Sequence, residues 1–275
     1  MKKLSIESRA RLRNGIKMPL VGFGTWKILP NSSASKAVGL ALKNGYRSID
    51  TARIYLNEKG VGKAIKNSGI PREEIFVATK LWNSDQGTEK TLRAFEKSLE
   101  RLDLDYVDLY LMHWPVTDKR QESWREMIKI YQSGRAKAIG VCNFTEEHLA
   151  ELVEKTEVAP MVNQVEFHPF LNQKLLQDYC KEHKIQLEAY SPLAHGKRIQ
   201  HPVLSEIAAK HAKHTAQIML RWSLQIGNVI IPKSSREDRI QDNIDIFDFE
   251  LDSDDMEKIN DLNENYRTCW DPTGM

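Results

Sequence analysis

Eight short apolar runs rich in β-branched residues recur along this chain, each followed by a stretch with helical periodicity, and few folds accept that alternation. The runs fall at residues 20–23, 47–50, 75–79, 107–112, 138–141, 161–165, 186–190 and 228–231. Between them apolar residues gather on one helical face, as with Leu92, Phe95, Leu99 and Leu102, or Leu149, Leu152 and Val153. Eight βα units in about 250 residues predict an α/β fold, a (β/α)8 TIM barrel. No break resembles a linker, so residues 1–275 are expected to form one domain. The rival, an open doubly wound sheet, wants a GxGxxG fingerprint after its first strand. Here Gly22-Phe23-Gly24 is followed by Lys27 where the third glycine belongs.

Both ends add to the barrel. Asn14-Gly15 sits between two short alternating segments, a signal for a type I′ hairpin capping the barrel's N-terminal end. Residues 251–255 carry acids suited to a helix start, and the helical pattern runs to about Asn263. The tail from Tyr266 to Met275 reads as an aromatic loop.

Composition narrows the setting. Hydrophobic residues at 41% and charged residues at 28% describe a packed protein and exclude disorder. Cys142, Cys180 and Cys269 form no CxxC pair and leave one unpaired, which suits a reducing compartment. No apolar core follows the basic start, and no stretch approaches a membrane span. A cytoplasmic location is expected, with no membrane association. The net charge of +2 supplies no field for nucleic acid, so any anion site is local. The sequence holds no HExxH, GxSxG or Walker loop, and His211-Ala212-Lys213-His214 reads as an exposed helix face. No metal is expected.

In a barrel of this kind the chemistry sits at the C-terminal ends of the strands. Strand two ends in Asp50-Thr51-Ala52-Arg53-Ile54-Tyr55, strand three in Thr79-Lys80-Leu81-Trp82, and strand four in His113-Trp114-Pro115. Asp50, Tyr55, Lys80 and His113 are expected at one mouth. An ammonium beside a tyrosine favours the phenolate, and a carboxylate paired with that ammonium fixes its place. Such a set makes Tyr55 a proton donor near neutral pH. Trp26, Trp82 and Trp114 offer flat apolar walls, and Trp270 in the tail is placed to close over them. A short segment after Pro115 precedes a helical pattern from Ser123 and leaves the mouth open. After strand eight, Lys233-Ser234-Ser235-Arg236 precedes a helical pattern carrying Arg239 and Asn243, where barrel phosphate sites recur.

These segments resemble the aldo-keto reductase family. The likeness runs through Gly22-Phe23-Gly24-Thr25-Trp26, Ile49-Asp50-Thr51-Ala52, Gly140-Val141-Cys142-Asn143-Phe144, Asn163-Gln164-Val165-Glu166, Ala189-Tyr190-Ser191-Pro192-Leu193 and Ile231-Pro232-Lys233-Ser234. It is similar to that family's prostaglandin F synthase and 2,5-diketo-D-gluconate reductase branch. The resemblance implies a monomeric NADPH-dependent reductase of aldehydes and ketones, with small dicarbonyls such as methylglyoxal, keto sugars, aromatic aldehydes and prostaglandin-type compounds as substrates. It implies Asp50, Tyr55, Lys80 and His113 as the catalytic tetrad, Tyr55 the general acid, and Trp26, Trp82, Trp114 and Trp270 around the substrate. It puts NADPH/NADP+ against Gly24, Thr25 and Asp50, with Asn143 and Gln164 on the carboxamide, Tyr190 stacked on the nicotinamide, and Ser191 and Leu193 near the pyrophosphate. Lys233, Ser234, Ser235, Arg236 and Arg239 would hold the 2′-phosphate and Asn243 the adenine. Two residues depart from the family pattern: Cys142 replaces a serine beside Asn143, and Ala194 replaces a glycine. Two other readings remain open at this point, a Schiff-base aldolase using Lys80 and a non-catalytic NADPH-binding barrel.

Overall fold

The computed structural model describes residues 4–275 and realises the eightfold alternation as a parallel barrel. A two-stranded antiparallel hairpin comes first, β1 (Arg9–Arg11) and β2 (Lys17–Pro19). The barrel strands follow in chain order: β3 (Phe23–Gly24), β4 (Ser48–Asp50), β5 (Phe76–Leu81), β6 (Val107–Met112), β7 (Ala136–Cys142), β8 (Val162–Glu166), β9 (Gln186–Tyr190) and β10 (Val229–Ile230). Each pairs in parallel with the next, and a parallel bridge between Val21 and Ile230 joins last to first. Across that seam the Gly22 N–H donates to the Ile230 carbonyl at 2.8 Å and the Ile230 N–H to the Leu20 carbonyl at 3.0 Å. Strands are shortest there because Pro232 has no N–H to offer. A Cβ at Gly22 would also stand 2.9 Å from an Ile231 methyl group.

Ten α-helices accompany the strands among the described residues: α1 (Asn31–Lys43), α2 (Glu58–Lys66), α3 (Thr88–Leu102), α4 (Arg120–Gln132), α5 (Glu146–Glu154), α6 (Lys174–Glu182), α7 (Pro202–Lys210), α8 (Thr215–Gln225), α9 (Glu237–Asp242) and α10 (Ser253–Asn260). Their apolar faces meet the outer faces of the strands. Phe95, Leu99 and Leu102 of α3 are buried as expected, whereas Leu92 is 38% exposed, because it lies on the flank of the buried stripe, whose member in that part of the helix is Thr91. No helix among the described residues is long and apolar enough to cross a membrane.

Four local expectations need correction. The hairpin forms, but only Gly15 of the Asn-Gly pair takes a positive φ (90°), and the Gly15 N–H donates to the Leu12 carbonyl. That is a three-residue loop closed by a left-handed glycine, not a type I′ turn. Helix α4 begins at Arg120 rather than Ser123, and α10 stops at Asn260 rather than near Asn263. His211 to His214 is a linker: His211 caps the end of α7 and His214 the start of α8, so two helices separate β9 from β10. The hairpin does lie at the barrel's N-terminal end, where Asn14 Nδ2 donates to the carbonyl of Lys137 at the start of β7.

Helix α2 shows how closely the outer ring packs. Its Gly62 lies against the end of α3, where an added Cβ would meet the Leu102 carbonyl oxygen at 1.9 Å. Alanine favours a helix by about 1 kcal/mol over glycine, yet here backbone would have to move apart. We expect Gly62→Ala to destabilise the fold by roughly 1–3 kcal/mol. Thermal unfolding monitored by circular dichroism tests this; an unchanged or raised Tm would show that α2 and α3 can separate freely.

Candidate active site

Strand register brings the predicted residues together. Asp50 ends β4, Lys80 lies near the end of β5, and β4 pairs with β5. Lys80 is fully buried, and its Nζ donates to both Asp50 oxygens at 2.5 and 2.7 Å and to the Thr51 carbonyl at 2.9 Å. Three acceptors match the three N–H donors of an ammonium. Tyr55 closes a single 3-10 turn after β4 and sets its ring 5.0 Å from Lys80 Nζ. His113, just past β6, meets the Tyr55 ring edge-on at 5.7 Å and the Trp82 ring at 5.2 Å. All four lie at the C-terminal end of the barrel.

The electrostatics of the group follow from burial. Burial alone would lower the Lys80 pKa, but the Asp50 charge, the neighbouring Tyr55 and Cys142, and the hydrogen bond to Asp50 outweigh it and raise it. Lys80 therefore stays an ammonium, which removes the ground for a Schiff-base nucleophile. Burial raises the Tyr55 pKa, and Lys80 opposes this without reversing it. The expected lowering by Lys80 is present, but desolvation is larger, so Tyr55 rests as a phenol. Burial, seconded by Lys80, holds His113 well below the ordinary histidine value and hence neutral. Its buried Nδ1 has no hydrogen-bond partner among the described residues.

Gln164 on β8 extends the group across the barrel. Its Nε2 donates to Asp50 Oδ2 at 2.9 Å and to Glu188 Oε2 on β9 at 2.8 Å. Asn143, at φ 62°, donates from Nδ2 to the His113 carbonyl and accepts from the Tyr190 hydroxyl at 2.8 Å. Asp50, Tyr55, His113, Asn143, Gln164 and Tyr190 open onto a cavity of about 1450 Å³ that runs from Trp82, Trp114 and Trp270 to Lys233, Ser234, Arg239 and Asn243, while Lys80 and Glu188 do not line it. Gly24, Trp26, Tyr190, Ser191 and Leu193 line its middle. The rings of Trp114 and Trp270 approach to 5.6 Å, and Trp26 stacks on His195 at 5.2 Å.

Some predicted residues stand apart from this wall. Thr25 is fully buried and donates to the Asp50 carbonyl, which holds β3 to β4. Ser235 and Arg236 are exposed and do not line the cavity, and the Arg236 guanidinium is paired with Asp238. Cys142 is buried and does not line the cavity either; burial pushes its thiol pKa well up. Ala194 does take a left-handed φ of 48°, as do its neighbours Ser191 at 46° and His195 at 57°. The loop thus stores the strain that glycine would have relieved.

Residues that the sequence did not single out also shape the site. His195 and Cys269 line the cavity, as do Asp238 and Asp242 at its basic end. Glu188 was hidden in an ordinary strand; its one visible signal is a charge inside the apolar run 186–190. Burial and the nearby Asp50 charge push its carboxyl up to about 8, against Gln164 and Lys80. A carboxyl raised above its unfolded value of about 4.3 costs no stability while protonated in both states. Stability is lost as pH rises from there to about 8 and then levels. Glu188→Gln, a neutral near-isostere, is therefore expected to gain Tm over the parent between pH 5 and pH 8. A difference independent of pH across that range would mean that Glu188 titrates as an ordinary carboxyl.

The comparisons agree with this geometry. The sequence matches the Aldo/keto reductase family over residues 20–264. It is 56% identical over 268 residues to the glyoxal reductase of Bacillus subtilis (strain 168), covering 98% of this chain and 97% of that one. It is 48% identical over 264 residues to the 9,11-endoperoxide prostaglandin H2 reductase of Trypanosoma cruzi (strain CL Brener), covering 95% and 93%. The solved structure of a Bombyx mori aldo-keto reductase in complex with NADP superposes with a TM-score of 0.90 at 34% identity, covering 96% of this chain and 95% of that one. With the barrel, the clustering of Asp50, Tyr55, Lys80 and His113 and near full-length similarity in place, the chain belongs to the aldo/keto reductase family of oxidoreductases.

Proposed function

We propose that this protein is an NADPH-dependent carbonyl reductase, converting aldehydes and ketones to alcohols and acting on CH–OH groups in reverse. The observation that carries the reading is a neutral phenol, Tyr55, half-buried beside a fully buried, charged Lys80 and a neutral His113 at the foot of the cavity. That set suits delivery of a proton to a carbonyl oxygen.

The cavity fits a dinucleotide. Its volume exceeds the ~300–1,000 Å³ of drug-sized sites, and its ends differ as the ends of NADPH do. Asn143 and Gln164 offer amide groups for a carboxamide, the Tyr190 ring offers a stacking face, and the bent loop carrying Ser191 and Leu193 lies between. Lys233, Ser234 and Arg239 offer donors for the 2′-phosphate, and Asn243 offers an amide for adenine. Arg236 joins them once it exchanges Asp238 for phosphate; at this exposed site the pair contributes little. When bound, NADPH supplies the hydride.

The chain's own residues handle the proton. His113, neutral, donates to the carbonyl oxygen and orients it. Tyr55 gives up its phenolic proton to that oxygen as negative charge develops there. The Lys80 ammonium stabilises the phenolate left behind, and Asp50 keeps the ammonium in place. Trp26, Trp82, Trp114 and Trp270 form apolar walls that suit flat carbonyl compounds. The similarity to a glyoxal reductase supports small dicarbonyls such as methylglyoxal as the substrates to try first, and the flat walls suit aromatic aldehydes and keto sugars after them.

The test is NADPH oxidation, followed by absorbance, with methylglyoxal, phenylglyoxal, 4-nitrobenzaldehyde and a keto sugar. We expect Tyr55→Phe to lower kcat by about 10²–10⁴-fold, with NADPH affinity by fluorescence titration kept within about twofold. Undiminished kcat would take the general-acid role from Tyr55. Arg239→Ala is expected to weaken NADPH binding by about tenfold or more while leaving NADH nearly unchanged. Equal losses for the two cofactors would mean that Arg239 does not hold the 2′-phosphate.

A further inference from the structure

Glu166 ends β8 two residues beyond Gln164, on the same face of the strand, yet it does not line the cavity. Its carboxylate is fully buried and is surrounded by donors from the C-terminal tail. The backbone N–H of Thr268 donates to Oε1 at 2.7 Å, the Thr268 hydroxyl to Oε1 at 2.5 Å, and the backbone N–H of Cys269 to Oε2 at 3.0 Å. His168 Nε2 lies 3.1 Å from Oε1 on the barrel side. The next residue in the tail, Trp270, is 64% exposed and rests on Trp114 at the mouth.

The geometry points to Glu166 as the residue that seats residues 268–270 over the mouth and so sets how bulky a carbonyl substrate the site holds well. This rests on the reading of the cavity as a carbonyl-reductase site. Glu166 touches no substrate in this scheme and is a positioning residue. The tail contributes no helix or strand after α10, so its placement depends on point contacts. Further contacts lie to either side: the Tyr266 N–H donates to the Phe170 carbonyl at 2.8 Å, and Arg120 donates to the Met275 backbone oxygen at 3.0 Å. Between them the Glu166 seat gives the shortest hydrogen bonds to the stretch that carries Trp270 into contact with Trp114; the other contacts are longer, Arg267 to Gln173 Oε1 at 3.5 Å and the Cys269 thiol to Ser191 Oγ at 4.0 Å and His195 Nε2 at 3.8 Å. Hydrogen bonds to a charged acceptor are the strong ones. These bonds, with His168, hold the Glu166 carboxyl down to about 2 against its burial, so the acceptor stays charged at any working pH.

Cys269 gives a readout that needs no turnover. It is half-buried beside the seat, whereas Cys142 and Cys180 are buried. Labelling with an aromatic disulfide reagent therefore reports opening of the tail. We expect Thr268→Val and Glu166→Gln each to speed labelling by about tenfold, as loss of hydrogen bonds to a charged group implies. KM for 4-nitrobenzaldehyde should rise by a similar factor, with KM for methylglyoxal and both kcat values little changed. Asp271→Asn, in the same tail but not bonded to Glu166, should label at the parent rate. Thr268→Val keeps every barrel residue, so it decides the matter if Glu166→Gln fails to fold. Parent-like labelling in Thr268→Val overturns the seat. Faster labelling with an unchanged ratio of the two KM values overturns its role in substrate size. Should the parent reduce no carbonyl at all, the reductase reading falls, and the substrate role with it, while labelling still decides the seat.

Discussion

The contact between Lys80 and Asp50 is the one on which the rest of the site depends. Two charges are kept out of water, which costs several kcal/mol per ion unless every donor and acceptor is answered. Lys80 has its three acceptors, and Asp50 takes in addition a bond from Gln164. Losing either partner would strand the other at a cost of about 3–5 kcal/mol. The pair therefore makes sense only with both charges present, and their presence sets everything around them. It keeps Tyr55 beside a fixed positive charge, it helps keep His113 neutral, and it helps push Glu188 toward protonation. A barrel interior can hold this group because strands β4, β5, β8 and β9 each send a polar side chain inward, and all four end at the same side.

The fold was legible because its signal is repetitive. Eight apolar runs at regular spacing outweigh errors at any one of them, and each appears as a strand within a few residues. Local geometry was less legible where a single backbone angle decides. Asn14-Gly15 is compatible with two hairpin loops, which differ in the φ of Asn14 and in length, and here Leu12 pairs with Ile16 across three residues. Leu92 fits the helical stripe of α3 by spacing but lies on its flank while the neighbouring Thr91 is buried, and apolar periodicity does not reveal a polar residue at the centre of the buried face.

The site divides along the same line. Asp50, Lys80 and His113 sit at strand ends, where register fixes them, and Tyr55 follows within one turn, so sequence position alone predicted their meeting. Thr25 sits equally close to a strand end but faces the core, and its hydroxyl serves the sheet. Glu188 and Glu166 escaped notice because nothing in a strand sequence distinguishes a charge turned into a barrel from one turned to solvent. Apart from His168, the contacts of the Glu166 carboxylate come from residues about a hundred positions away, in a tail without periodicity. Long-range pairing of that kind leaves no local trace.

The two ends of the cavity follow different electrostatic rules. At the tetrad end the charges are buried, so salt barely screens them and their effects are set by geometry. At the far end Arg236 and Asp238 are exposed, and their pair has little net worth in water. A phosphate held there as proposed would displace a weak partner and gain a stronger one, at small cost in reorganisation. Asp238 and Asp242 also line that end, so its field is mixed rather than uniformly positive. On the function proposed above, discrimination between phosphorylated and unphosphorylated cofactors would rest on a few directed hydrogen bonds and weaken as ionic strength rises, whereas the buried Lys80–Asp50 pair would keep its character. A single cavity thus combines a salt-sensitive grip with a salt-insensitive centre, a division that follows from depth of burial.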